Sequence, residues 1–213
     1  MSEARANGWE QALNGTFPLW IKIPYTVFVG LLIPVYWQKV GPTNFLWFSD
    51  IALFALVIAL WFESRLLTSM MAVAVLFPEI VWNIGFFARL LLGIDILGIA
   101  GYMFDPEKPL IVRGLSLFHA VLPPLLLWML YRLGYDRRAL VAQTVVTWIV
   151  LPATYMLATP DTNVNWVFGI GESAPQTWMP GWLWVVLLMA FVPALMLRPT
   201  HRFLLQLFKQ RVY

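Results

Sequence analysis

Four side chains that can ionise or carry a proton sit inside long apolar runs of this 213-residue chain: Asp50, Glu79, Arg89 and His119. Ser49, Asn83 and Ser116 accompany them. On insertion scales an ionisable group costs about 2.5–3.5 kcal/mol at the centre of a membrane helix, so such residues persist when they pair, face a cavity or do work. Ser49 and Asp50, with His119 from another run, would supply a hydroxyl nucleophile, an orienting carboxylate and a base. A hydroxyl attacks poorly until a base takes its proton, and His titrates near neutral pH. Asp50 or Glu79 could hold the second ring nitrogen, and the sequence leaves that choice open. Glu79 and Asn83 are four apart and share a helix face, as do Ser116 and His119 at a spacing of three. Taken singly, each has an ordinary structural role: Arg89 as a paired or snorkelling cation, Asn83 as glue between helices, the serines as packing residues. Together they ask for a common reason.

Other chemistry is excluded by composition. No cysteine is present, which removes disulfides, thiolate nucleophiles, iron–sulfur clusters and Cys-ligated zinc or haem. His119 and His201 are the two histidines, too few for a His-rich metal site, and nothing calls for a cofactor. Hydrophobic residues make up 61% and charged residues 12%, with a mean hydropathy of +0.74. A soluble domain carries about twice that charge, so lipid is the expected solvent. The net charge of +3 does not indicate a nucleic-acid partner, because membrane proteins gather Lys and Arg on one side.

Apolar runs at roughly 17–37, 44–62, 68–92, 110–133, 138–159 and 179–197 are each long enough for about one helical crossing. The fold expected is an all-α polytopic bundle of six spans over 17–197. It would be preceded by a cytoplasmic segment, 1–16, with no signal peptide, and followed by a basic amphipathic tail, 198–213. One span at 68–92 is read for the awkward stretch 66–104, with an interfacial segment through Gly93, Gly98 and Gly101 behind it. Arg65, then Arg132, Arg137 and Arg138, then Arg198, Arg202, Lys209 and Arg211 fall on one side of this topology. The positive-inside rule makes that side cytoplasmic, with both termini, in a bacterial inner membrane; Lys39 and Lys108 are the exceptions. At about 1.5 Å per residue, Ser49 and Asp50 then lie about 7–9 Å below the outer surface, Asn83 and His119 about 13 Å, and Glu79 about 20 Å.

The outer loop 160–178 carries Asp161, Asn163, Asn165, Gly169 and Gly171, which predict a structured turn able to cover a pocket, and Trp166, Phe168 and Trp178 suit the headgroup level. Its Gly-x-Gly pair is too short for a phosphate-binding fingerprint. Asn14–Gly15–Thr16 matches a glycosylation pattern on the cytoplasmic side, where it has no meaning. The tail HRFLLQLFKQRVY predicts a short helix on the inner leaflet.

Two stretches carry a family resemblance. Leu46–Trp47–Phe48–Ser49–Asp50–Ile51 resembles the second-span motif of YwaF-like integral membrane proteins, and Thr162–Asn163–Val164–Asn165–Trp166–Val167–Phe168–Gly169 resembles their Asn-Tyr-containing segment between the last two spans. His119 falls where that family has a histidine. The wider group includes metazoan multi-spanning acyltransferases and the androgen-induced-gene family of lipid hydrolases, whose catalytic pair is Thr and His. The resemblance implies acyl transfer or hydrolysis on a lipid ester, with Ser49 at the Cys or Thr position. The motif's Leu-His-Leu-Cys is Leu-Trp-Phe-Ser here, so its His and Cys are absent.

The expected reading is therefore a lipid-directed hydrolase or acyltransferase with Ser49, His119 and Asp50 as the reacting group. Glu79, Asn83, Arg89, Ser116, Asn163 and Asn165 would support it, with the Asn83 or Asn163 amide at the oxyanion. A membrane lipid is the expected partner. A non-enzymatic accessory subunit or assembly factor of a larger membrane complex, and a binder or transporter of a lipophilic small molecule such as a quinone, isoprenoid or pigment, are the rival readings.

Overall fold

A computed structural model describes residues 16–96, 98–171 and 175–212. The readings made of the amino-terminal segment before Thr16 lie outside these residues. In chain order the helices are α1 (Leu19–Lys39), α2 (Phe48–Phe62), α3 (Arg65–Leu92), α4 (Leu110–Leu115), α5 (Phe118–Leu133), α6 (Ala139–Leu157), α7 (Gly181–Phe191) and α8 (Arg198–Leu207). Five stretches are long and apolar enough to cross a membrane: Leu19–Lys39, Arg65–Leu92, Leu110–Leu133, Ala139–Leu157 and Gly181–Leu207. The sixth apolar helix, α2, has 15 residues, about 22 Å at 1.5 Å per residue, short of a hydrocarbon core of about 30 Å. A 3₁₀ turn over Pro42–Leu46 leads into it.

The outer surface identifies the solvent. Trp20 is 74% exposed, Leu110 76%, Phe62 80% and Met156 82%, while Lys22, Asp50, Glu79, Gln143 and Thr147 are buried. Water would demand the reverse. The chain is an all-α, multi-pass integral membrane protein.

The helix directions alternate, which defines two ends of the bundle. The end where α1 begins is here the near end and the other the far end. Ser64 caps α3 by accepting the Leu67 amide, as an N-cap serine does. The apolar stretch of α3 is 56% buried, against 17–33% for the other four spans, because α2, α5, α6 and α8 all pack on it. Gly93, at φ +70°, ends it in the left-handed conformation that glycine adopts without strain. The chain then folds back so closely that a Cβ on Gly85 would stand 3.2 Å from the Ile96 carbonyl oxygen. Trp82, Phe86, Ala100 and Met103 bury one another there. A single helix thus occupies the front of the 66–104 stretch, with the glycine-bearing segment folded against it.

The span 110–133 is broken rather than straight. Gly114 weakens the helix, and the Ser116 hydroxyl donates to the Val112 carbonyl at 2.9 Å, competing with the backbone ladder. The chain tightens through Ser116 and Leu117 before α5 begins. His119 stands just past this break.

At the near end Lys22 is only 1% exposed, and its ammonium lies 3.1 Å from Glu63 Oε1. The same carboxylate accepts the Phe17 amide. Burial pushes the Glu63 carboxyl up, but the Thr16 and Phe17 amides, the Thr16 hydroxyl and the Lys22 ammonium outweigh it and hold the group below the usual glutamate range. The tail helix forms as expected, with one difference. It continues the last span through a π-helical turn, Val192–Leu197, and buries Leu204 and Phe208 in the main core. Tyr135 bonds to His201 Nδ1, and its amide donates to the Arg211 carbonyl. Apolar spacing alone marks an amphipathic face, and the core of this bundle claims part of it before lipid can.

Candidate functional site

The polar residues of α2, α3 and α5 meet in the far half of the bundle. Glu79, 3% exposed, faces His119 across the α3–α5 interface. His119 Nδ1 lies 2.8 Å from Glu79 Oε2 and 3.0 Å from Oε1. The carboxylate that holds the imidazole is therefore Glu79, which decides between the two candidates. His119 Nε2 closes no hydrogen bond among the described residues. The Trp82 ring stacks on the imidazole at 4.6 Å and the Phe118 ring at 4.1 Å, leaving the ring little freedom to turn.

Asn83 completes the clasp for a reason written in the sequence of α5. Position 123, four residues past His119, is proline and has no amide to give the His119 carbonyl. Asn83 Nδ2 supplies the missing donor at 2.8 Å and also donates to the Glu79 carbonyl at 2.8 Å. Both of its N–H groups are thereby occupied. Asn83 positions His119 and has no donor left for an oxyanion.

Asp50 is buried, within Coulombic reach of both His119 and Glu79. Its Oδ2 accepts a long 3.4 Å bond from Asn44 Nδ2, and its Oδ1 has no partner. Ser49, half-buried, heads the stripe Ala52, Leu56 and Ala59, each fully buried. It closes no hydrogen bond with His119 or with any other described residue. Ser116 is bonded instead to the Tyr36 hydroxyl at 2.7 Å. The Tyr102 hydroxyl faces Ser116 and the Trp82 indole from the folded-back segment, but Trp82 Nε1 is buried with no hydrogen-bond partner.

No protein-family model, curated protein or solved structure matches this chain.

The remaining candidates serve the frame. Arg89 pairs with Asp95 at 2.9 Å and lies over the Phe104 ring, so it neutralises the folded-back segment and not Glu79. Asn163 Nδ2 donates to the Gly169 and Gly171 carbonyls and its Oδ1 accepts the Phe168 amide, so it too lacks a free donor. Asn165 pins the far loop to the start of α2: Oδ1 accepts the Phe48 amide at 3.3 Å and Nδ2 donates to the Leu46 carbonyl at 2.7 Å. Its φ of +53° is one that asparagine tolerates better than most residues. Asn165→Ala is expected to lose about 1 kcal/mol by leaving that part-buried amide and carbonyl unpaired, read as a lower thermal midpoint in detergent.

Tyr36, Tyr102, Trp82 and Asn44 were not singled out by sequence. Tyrosine and tryptophan are common at membrane interfaces; Trp82 meets the imidazole from α3, and only the return of the 93–104 segment brings Tyr102 to Ser116 and Trp82. Among the described residues, no group of three His, Cys, Asp or Glu side chains is placed to hold a metal ion.

Proposed function

We propose that this membrane protein hydrolyses or transesterifies lipid esters, with His119 as general base, Glu79 as its orienting carboxylate and Ser49 as nucleophile. The observation that carries the reading is the two-oxygen grip of Glu79 on His119 Nδ1, with Nε2 left unbonded. That is the arrangement a base needs: one nitrogen fixed, the other facing the proton it will take. Ser49 stands beside the buried Asp50 on the first turn of α2 and has no competing bond. Nucleophile–base hydrogen bonds are often open without substrate and tighten when it binds. The resemblance of the Ser49 and Asn163–Asn165 stretches to the YwaF-like group supports the same class of reaction.

In the proposed reaction Ser49 Oγ adds to the ester carbonyl as its proton passes to His119 Nε2. The tetrahedral intermediate collapses, the ester C–O bond breaks, and the departing alcohol takes that proton. Water, or a second alcohol in acyl transfer, then attacks the acyl-serine. His119 accepts its proton and returns it to Ser49 Oγ. Trp82 Nε1–H, buried beside the imidazole and facing the Tyr102 hydroxyl, is the donor assigned to the oxyanion. Losing one such donor costs about 10²–10³ in turnover. Trp82→Phe, which keeps the stack on His119, is expected to lose that factor with the protein still folded.

Clustered cations at the near end (Arg132, Arg137, Arg138, Arg198, Arg202, Lys209 and Arg211) support placing that end in the cytoplasm, so the site would open to the outer leaflet. Mass spectrometry of lipids from cells making the wild type or Ser49→Ala tests the reading. It expects a lyso-lipid, fatty acid or acyl-exchanged product only with the wild type. Identical lipid profiles, with both proteins inserted equally, would overturn it.

A further inference from the structure

A groove of 460 Å³ runs down the side of the bundle between α1, the start of α2 and the broken α4–α5 span. α1 packs on α2 and α4 but stands away from most of α5. Trp20 and Phe28 form one wall, and Gly114, Phe118, Val121 and Leu125 the other. Among the described residues, no charged side chain lines it. At about 1.5 Å per residue, Gly114 to Leu125 covers about 16 Å, close to one leaflet of a hydrocarbon core of about 30 Å. The groove is open to the side, with Val121 56% and Trp20 74% exposed.

Two features separate it from the general lipid-facing surface. Phe118, one of its walls, is stacked at 4.1 Å on the His119 imidazole, and Leu53, another, lies one helical turn from Ser49 on α2, so the groove borders the polar site. Gly114 faces open space: a Cβ there would meet nothing within 4 Å. The span is thus hollowed where it passes the site.

We infer that this groove holds one fatty acyl chain of the lipid whose ester is presented to His119, running from the site toward the near end. The inference rests on the lipid-ester reading and adds to it the substrate's acyl side, the chain's path and a residue that limits its length. A wall of aromatic and branched side chains gives an acyl chain dispersion contacts on several sides, whereas the open surface offers one. Larger side chains at position 114 would occupy the groove without disturbing the backbone.

The test uses the full-length protein in phospholipid nanodiscs containing a phosphatidylcholine with a photoactivatable diazirine at mid-chain, with crosslinks mapped by mass spectrometry. Crosslinks are expected to concentrate on Leu117, Val121 and Leu125, above the level at Val141 and Ile149 on the outer face of α6. Gly114→Leu is expected to reduce them about tenfold, the scale on which an apolar pocket senses lost methylenes. Gly30→Leu is the control, since a Cβ there also meets nothing within 4 Å and Gly30 lies outside the groove; it should leave labelling unchanged. Even labelling of groove and α6, or labelling indifferent to Gly114→Leu, overturns the inference. Ser49→Ala should label like the wild type. Groove labelling without turnover by the wild type would sink the catalytic reading alone, and turnover without groove labelling would sink the groove alone.

Discussion

In a His119→Ala variant, turnover of the lipid ester is expected to fall by a factor of about 10²–10⁴, the usual contribution of a positioned general base. Glu79→Gln keeps an oxygen for Nδ1–H but removes the charge that stabilises the imidazolium, so it is expected to lose a similar factor. The double variant should be no slower than the slower single one, because the two residues act as one unit. Both are read from initial rates with the purified, folded protein. A clasp that only joined α3 to α5 would behave otherwise: its variants would lose thermal stability, and whatever protein remained folded would turn over normally. The Asn83 bond is to the backbone carbonyl of position 119 and so still joins α3 to α5 when the imidazole and its two ring stacks are lost, so folding and activity are separable here.

The second large effect lies at the opposite end. Glu63→Ala would leave the Lys22 ammonium, 1% exposed, without its counter-charge. Breaking a buried pair in this way costs about 3–5 kcal/mol. Glu63 is itself 24% exposed, so water can reach the gap, and about 3 kcal/mol is expected. Lys22→Met in the same chain should restore most of it, because a methionine needs no partner. The pair also sets a pH dependence. The Glu63 carboxyl is lower in the folded protein than in the unfolded chain. Its stabilisation is therefore full above the ordinary glutamate value of about 4.3 and disappears as pH falls through the folded value. Thermal midpoints measured down an acid series should drop in that range for the wild type, and the Glu63→Gln variant should lose that part of the slope.

Much of the architecture could be read from the order of residues alone. The structure places a helix on each apolar run; five are long enough to span, and the sixth, α2, is a 15-residue helix short of a crossing, because Pro42 and the 3₁₀ turn over Pro42–Leu46 take up the front of its run. Glu79, Asn83 and His119 stood out because ionisable and amide groups are costly in lipid, and the three do meet. The misplacements have physical causes as well. Arg89 shares α3 with Glu79, yet its partner is Asp95, because Gly93 turns the chain back and brings that aspartate to it. Asn163 and Asn165 resembled ligand contacts but spend their amides on loop carbonyls and the α2 terminus. Polar groups in a tight loop must be satisfied locally before they can serve a substrate. Lys22 finds Glu63 at a separation of 41 residues, and no local pattern announces it. The partnership of Asn83 with α5 was legible in retrospect: a proline four residues after His119 predicts an orphaned carbonyl, and a facing asparagine is the cheapest donor for it.

Under the proposed function, Ser49 is a nucleophile activated by the Glu79–His119 pair. Its most direct test is covalent labelling of the protein in native membranes with a lipid-like fluorophosphonate, followed by peptide mass spectrometry. A single adduct on Ser49 is expected, one that disappears in His119→Ala and is strongly reduced in Glu79→Gln. An adduct on a different residue, no adduct at all, or labelling of Ser49 that is indifferent to His119 would contradict it.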